Sequence, residues 1–271
     1  MGRYAKAAFG RDHFSSVGIA LAGSVTPEHE QKVLSLFDEV VYSKDSVFHT
    51  HLVKKENQYY SLIVNVYGAP AMIDSMAIMY DGGCRNIIFV GYAYAGFKKN
   101  LEVGSIVLSH KVYHFDGIYS PFDPSKFLTT PNVQLHNTLK SVLEKNNQPY
   151  TIGKNISVPS VTFQLPHANE HYRKVDPLTV EMELASCFSR ARDIGMRAAG
   201  ILIISDNRES HIADENKKMV KRKAQLRIIE MVVNNLPKFK LPTLKGKKFD
   251  IDEHLASIIE LPEDKRNIYK K

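Results

Sequence analysis

The chain has 271 residues, 44% hydrophobic and 24% charged, with two cysteines and no tryptophan. That length accommodates one large domain or two small ones around a sizeable core, and the composition excludes wholesale disorder. The net charge of +7 raises nucleic acid as a partner, but the excess is local. Residues 216–229 hold Lys217, Lys218, Lys221, Arg222, Lys223 and Arg227 with no acid. Apolar residues repeat through this run at helical spacing and no nucleic-acid-binding motif accompanies it, so it reads as a solvated helix face. No apolar stretch approaches the roughly 20 residues of a membrane span, and MGRYAKAAFGRDHF lacks the apolar segment of a secretory signal. Cys84 and Cys187 stand far apart and form no CxxC pair. They read as core thiols in a reducing cytoplasm, not as a disulfide framework or zinc site.

In chain order, Val17–Ala22 is the first predicted strand. Thr26-Pro27 has the chemistry to open a helix with Val33, Leu36, Phe37 and Val40 on one side. Ser61–Tyr67 is a strand, and after Gly68-Ala69-Pro70 a helix carries Met72, Ile73, Met76, Ala77 and Tyr80 until Gly82-Gly83 stops it. Strands over Asn86–Gly91 and Val103–Ser109 follow. A helix opened by Thr130-Pro131 then bears Val133, Leu139, Val142 and Leu143. Ile156–Thr162 is a strand, Val180–Arg192 a helix closed by Gly195, Ala198–Ile204 a strand and Asp214–Leu236 a helix. The runs LIVNV, NIIFV and GILII are nearly continuously apolar, as expected where helices cover both sheet faces. Strands alternating with helices predict an α/β fold with a mainly parallel or mixed sheet in one domain over residues 1–236. Residues 237–271 are polar, basic and punctuated by Pro and Gly, with one short helix at Asp252–Ile259. They read as a basic C-terminal extension that packs on the body or stays mobile.

Three segments carry chemistry. In Val66-Tyr67-Gly68-Ala69-Pro70-Ala71, a small-residue turn between strand and helix lets backbone N–H groups face an anion or sugar hydroxyl. In Thr179-Val180-Glu181-Met182-Glu183-Leu184, a helical reading points Glu181 and Glu183 about 200° apart, so they cannot share one pocket. A carboxylate there is either a surface residue or a buried acceptor whose two oxygens take both hydroxyls of a cis-diol. Gly200–Asn207 is an apolar strand ending in Asp206, and strand carboxyl ends are where open α/β sheets bind ligands. A partly desolvated Asp at such a place can deliver a proton as a general acid, although a turn or helix-cap role is the alternative. His110 and His114 are spaced i, i+4 but on a strand, which argues against a metal pair. Arg208 and Lys111 are candidates to hold a ligand phosphate, but surface placement is the better reading.

VEMELASCF followed by GILIISD, together with the block YGAPAMIDSMAIMYDGGCRNIIFVGYAYAGFKKNLEVGSIVLSHKVYHFDG, resembles the nucleoside phosphorylase and nucleosidase superfamily. This is the group of purine and uridine phosphorylases and methylthioadenosine nucleosidases, and the likeness runs from about Val17 to Leu236. It implies a three-layer α/β/α fold whose twisted mixed sheet partly closes into a barrel. It implies Glu183 as acceptor for the ribose diol, Met182 as a ribose-packing residue and Gly68 at the ribose turn. Asp206 would protonate the leaving base, which tilts the choice toward a purine, since uridine phosphorylases lack this acid. Phe163 resembles the aromatic that stacks on the base, and Gln164, His167, Asn169 and His171 follow it as residues that could read base edges. No cofactor or metal is implied. A nucleoside or nucleotide ligand and a homo-oligomer are, while nucleic acid and membrane are not.

The chain also departs from that pattern. Phosphorylases of the family hold phosphate with arginines in three places. Here Ala22-Gly23-Ser24-Val25-Thr26-Pro27 follows the first strand, only Lys44 falls near Ser43–Val47, where the resemblance implies an arginine donated to the neighbouring subunit, and Phe89 precedes the Val-Gly of the third strand. Tyr92 and Tyr94 then stand where the family has small residues. Capture of a dianion without a guanidinium is implausible, because each charge-assisted contact contributes about 1.5–3 kcal/mol. The nucleosidase branch places a water-activating Glu after the first strand, but the nearest acids here are Glu28 and Glu30, several residues late. The sequence therefore predicts N-glycosidic cleavage with hydrolysis slightly favoured over phosphorolysis. The alternative is a catalytically impaired binder, as in plant storage proteins of this superfamily.

Overall fold

A computed structural model describes residues 2–95, 101–119, 127–160, 166–208, 214–244 and 248–258. Its strands are β1 (Val17–Ala22), β2 (Glu39–Lys44), β3 (His49–Lys55), β4 (Gln58–Val66), β5 (Asn86–Ala95), β6 (Ile106–His114), β7 (Leu128–Thr129), β8 (Thr151–Ser157), β9 (Thr179–Glu181) and β10 (Arg197–Asn207). The helices are α1 (Arg3–Phe9), α2 (Pro27–Leu34), α3 (Ala69–Asp81), α4 (Val133–Lys145), α5 (Pro166–Val175), α6 (Leu184–Ile194), α7 (Glu215–Val233) and α8 (Ile251–Ile258).

All the strands join one sheet in the order β10-β6-β8-β9-β5-β1-β4-β3-β2, with β7 on β6. β10 pairs with β6 and also with β5, so β10, β6, β8, β9 and β5 close into a ring while β1, β4, β3 and β2 extend as an open wing. The core strands β1, β4, β5 and β10 run parallel. Alternate residues of β5 supply two cores: Ile87, Phe89 and Ala93 pack with α3 and α6 on one face, and Ile88 and Val90 pack with α2, α4 and α7 on the other. The layers are therefore α/β/α, and apolar residues on both faces account for the unbroken NIIFV and GILII runs.

Local chemistry explains where several elements begin. Thr26 accepts from the His29 N–H at 3.4 Å with Pro27 in the first turn. Asp214 caps α7 by accepting from Asn216 and Lys217. Other boundaries correct the sequence reading. α2 stops at Leu34, because the chain turns back through an Asp38 N–H to Lys54 carbonyl bond to start β2. Val40, expected on the apolar side of that helix, sits on β2 at 41% exposure. α4 is capped by Asn132, not Thr130, and Val133 is 71% exposed. The expected helix over Val180–Arg192 is instead the short strand β9 followed by α6, which Gly195 closes in the left-handed conformation. Beyond α7, Leu236 and Phe239 are fully buried against the sheet, and Phe249 meets Tyr80 edge-on with centroids 5.7 Å apart. Among the described residues no helix is long and apolar enough to cross a membrane.

Candidate active site

Because β1, β4, β5 and β10 are parallel, their carboxyl ends meet at one edge, where Gly23, Gly68, Tyr92, Tyr94 and Asp206 gather. β9 runs antiparallel to β5 and brings Glu181, Met182 and Glu183 to the same edge. Asp206 is paired in register with Tyr94, and Tyr94 with Val180. Asp206 and the Val180–Glu183 segment are thus two strand spacings apart, roughly 10 Å, which suits a base at one end and a sugar at the other.

Glu181 and Glu183 are both buried, at 5% and 3% exposure, which overturns the expectation that they cannot share a pocket. The reason is the backbone: one closes a strand and the other is the residue before α6, so helical periodicity does not apply. Glu181 accepts from the N–H groups of Glu183 (2.7 Å) and Leu184 (2.6 Å), from Asn155 (2.8 Å) and from the Ser157 hydroxyl. It is the anchor that fixes the start of α6. Glu183 accepts from the Gly68 N–H at 2.6 Å and the Met182 N–H at 3.3 Å, leaving part of its carboxylate free for a ligand. Gly68 reaches it in a conformation with φ 84°, which a residue with a Cβ rarely adopts. Burial and the Glu181 charge push the Glu183 pKa from 4.5 to about 8. Burial raises Glu181 as well, against the four donors that favour its ionised form.

Met182 is buried in a small cluster with Ile156, Val158, Val180 and Tyr172, against which Tyr94, Tyr113 and Phe115 pack. Phe115 and Tyr172 meet edge-on at 4.9 Å. Sequence reasoning missed this aromatic group, although Tyr113 and Phe115 alternate around His114 with the period of a strand. Phe163 and Gln164 lie outside the described residues, as do the side chains of His167 and Asn169. His171 is exposed on α5.

Asp206 is half-buried, follows a bulge in β10, and accepts from the Ser205 hydroxyl. Beside it, the helix reading of the basic run needs correction. Lys223 and Arg227 are exposed as expected, but Met219 and Val220 are also exposed, at 53% and 45%, while Lys221 turns inward. The Lys221 ammonium stands 4.8 Å from the Tyr92 ring centroid. Burial lowers its pKa, and the Asp206 carboxylate opposes that shift. The first turns of α7 overhang the sheet edge, with Lys221 turned toward Tyr92 and with Met219 and Val220 exposed beside Glu215, Asn216 and Lys223.

Tyr92 packs where the sequence placed the acceptor. Its hydroxyl donates to Gln225 at 2.7 Å, and a Cβ built on Gly23 would lie 3.1 Å from its ring. Gly23 has φ 90° and is tied to the Val66 carbonyl, so the end of β1 and the Tyr92 ring fit each other. Phe89 is fully buried on the α3 and α6 face of β5, and Lys44 donates to the Ala7 carbonyl at 2.9 Å. Arg11 and Arg85 stack on Tyr59 and Tyr80 at the amino edge of the sheet. A cleft of about 270 Å³ lined by Arg11, His13, Phe14, Ser15, Gln58 and Tyr59 opens at that opposite edge. Cys84 and Cys187 are buried free thiols. His110 faces the Gly153 carbonyl and His114 is sealed, and among the described residues no group of His, Cys, Asp and Glu is placed to hold a metal.

Residues 17–234 match the family model described as the phosphorylase superfamily. The chain belongs to that superfamily. It is 28% identical over 151 residues to a DeoD-type purine nucleoside phosphorylase of Clostridium perfringens, an alignment covering 53% of this chain and 63% of the relative. The chain thus spans less than two thirds of the curated relatives it matches. Among solved structures, purine nucleoside phosphorylase from Toxoplasma gondii in complex with immucillin-H superposes with a TM-score of 0.70 at 16% identity, over 83% of this chain and 92% of the other. The 5'-methylthioadenosine/S-adenosyl homocysteine nucleosidase of Campylobacter jejuni gives a TM-score of 0.67 at 15% identity, over 83% and 99%. These superpositions establish the phosphorylase-like fold. The superfamily contains both phosphorylases and nucleosidases, so membership leaves the acceptor to be argued from this site.

Lys221→Met tests the inward turn of α7. If Asp206 delivers a proton, the ammonium stabilises the carboxylate that remains, a charge-assisted interaction of about 1.5–3 kcal/mol. Turnover is expected to drop about 10–100-fold with KM little changed, whereas Lys223→Met should match wild type. Equal rates for both variants would place Lys221 outside the chemistry.

Proposed function

We propose that this superfamily member cleaves the N-glycosidic bond of a nucleoside or nucleotide-like ligand with a purine-type base, and that water is favoured over phosphate as the acceptor. The observation that carries the reading is the buried Glu183, held by the Gly68 N–H and facing the same sheet edge as Asp206. Breaking the bond builds positive charge on the sugar and negative charge on the base. Glu183 grips the ribose diol, Met182 packs the sugar, Phe163 and Gln164 contact the base, and Asp206 quenches the leaving group in a site partly withdrawn from water. Homo-oligomeric assembly and a cytoplasmic location belong to the same proposal, with no cofactor, nucleic acid or membrane required.

The choice of acceptor rests on Tyr92. Its ring fits against Gly23 at the end of β1, and Phe89 fills the core where the third arginine of the phosphorylases would stand. Lys221 is a cation at this edge, but a lysine point charge does not replace bidentate forks around a dianion. Tyr94 further narrows the space. Release of base should be followed across purine and pyrimidine nucleosides and their monophosphates, with phosphate stripped and then restored at millimolar level. Equal rates and free ribose are expected. A rate that rises with phosphate, with ribose 1-phosphate accumulating, would reverse the choice. Ligand binding without base release in either condition would establish the second reading, a nucleoside-binding relative, which Tyr92 in the acceptor position favours.

A further inference from the structure

Away from the ligand edge, Ser43, His51 and Glu30 form a continuous chain of hydrogen bonds. Ser43 on β2 and His51 on β3 are paired directly across the strands, so their side chains share a face, and α2 lays Glu30 beneath them. The Ser43 hydroxyl is 2.8 Å from His51 Nδ1, and His51 Nε2 is 2.7 Å from Glu30 Oε1. Glu30 is held on its other side by His49 Nδ1 at 2.8 Å. These partners fix the tautomer: an ionised carboxylate only accepts, so Nε2 carries the proton, Nδ1 offers its lone pair, and the Ser43 hydroxyl donates to it. The ring nitrogens are exchanged relative to the Ser-His-Asp arrangement of serine hydrolases, but the roles are the same.

Access distinguishes this group from a second one with the same composition. His114 lies between Asp116 and Ser189, at 3.2 and 2.9 Å, but all three are buried, with Ser189 at 1% exposure. That group ties α6 to the end of β6 and admits no substrate. By contrast Ser43 is exposed on the edge strand, while His51 and Glu30 beneath it are 2% and 6% exposed. β2 is the last strand of the sheet, so among the described residues its outer edge pairs with no further strand.

We propose that Ser43 is a nucleophile toward small activated acyl and phosphonyl donors, with His51 as its general base and Glu30 as the carboxylate that orients the imidazole. In the acyl case Ser43 Oγ bonds to the carbonyl carbon as its proton passes to His51 Nδ1, and the leaving alkoxide departs with that proton. Water then attacks the acyl-serine, His51 takes its proton and returns one to Ser43 Oγ, and the carboxylic acid is released. The sum is ester plus water to acid plus alcohol. This activity uses neither Glu183 nor Asp206, so it can be measured apart from nucleoside cleavage.

The probe is an alkyl fluorophosphonate, from which Ser43 Oγ displaces fluoride while His51 takes the proton. Intact mass and peptide mapping of the folded full chain are expected to show one adduct on Ser43, absent in Ser43→Ala and unchanged in Ser46→Ala, whose hydroxyl meets only the Phe48 carbonyl. His51→Gln should slow labelling by at least about 10²-fold, the usual range for a lost general base. The charged and titratable groups around His51 are Glu30 from α2, His49 on β3 and Asp45 in the turn after β2. Burial outweighs the two acids and lowers the His51 pKa from 6.5. The labelling rate should therefore be level above that pH and fall below it. If His51→Gln does not fold, alkylation of Ser43→Cys by iodoacetamide is compared with that of Ser46→Cys, and a rate at least tenfold higher supports the proposal. No adduct, an adduct on another residue, labelling of Ser43→Ala at the wild-type rate, or equal alkylation of the two cysteines would each overturn it.

Discussion

Replacing Asp206 with Asn is expected to lower turnover of a purine nucleoside by about 10²–10⁴-fold while leaving ligand affinity nearly unchanged. The size of the effect follows from where the residue sits. Asp206 ends β10 at the carboxyl edge, partly withdrawn from water, with Ser205 and Lys221 placed to stabilise the carboxylate left after proton delivery. Asn preserves shape and hydrogen bonding but has no proton to give, so the loss should fall on kcat and not on KM. A ligand whose base departs without protonation, such as one with a nitrophenolate leaving group, should be cleaved by both forms at similar rates. If Asp206→Asn turned over a purine nucleoside as fast as wild type, the acid would have to be sought among other residues at this edge.

The second large effect concerns Glu183 and pH. Its pKa is raised from 4.5 to about 8 in the folded chain, so folding retains a proton that the unfolded chain gives up. The associated stability is complete below pH 4.5 and is lost as pH rises through about 8. Each tenfold change in proton affinity corresponds to about 1.4 kcal/mol. Wild type should therefore lose a few kcal/mol relative to Glu183→Gln across that interval, read as converging or crossing melting curves. Ligand binding should move the other way. Both hydroxyls of a diol donate best to an ionised carboxylate, so a ribosyl ligand must expel the proton. Its affinity is expected to rise about tenfold per pH unit up to about 8 and then level off, while the free base shows no such rise. In Glu183→Gln the profile should be flat, with affinity above pH 8 lower by about 1.5–3 kcal/mol. Identical profiles for ribosyl and base-only ligands in wild type would remove the diol clamp from the mechanism.

The wing of the sheet shows how a local pattern misleads. Val40 follows Val33, Leu36 and Phe37 at helical spacing, yet the chain leaves the helix at Leu34 because β3 offers a partner for Glu39–Lys44. β2 is an edge strand exposed along most of its length and has no need of strict alternation, while β3 is buried at successive positions, so neither carried a recognisable period of two. The Thr179–Leu184 segment failed for a related reason. Its spacing suits a helix, but pairing with β5 and β8 holds its first three residues extended, and that extension allows Glu181 and Glu183 to face one interior.

What the sequence determined by itself was the set of elements buried on both faces and the residues at their ends. LIVNV, NIIFV and GILII are apolar at nearly every position, so only a strand between two helix layers satisfies them, and Gly68 and Asp206 follow at the ends of two of them. Those properties are local and survive any packing. What only the tertiary structure decided was which ends meet. The double pairing of β10 closes the ring that sets Asp206 beside Tyr94 and Glu183 against Gly68. The overhang of α7 turns Lys221 toward Tyr92 and leaves Met219 and Val220 in solvent. Contacts between residues more than a hundred positions apart leave no periodic trace in the chain, because neither partner's neighbours need change to make them.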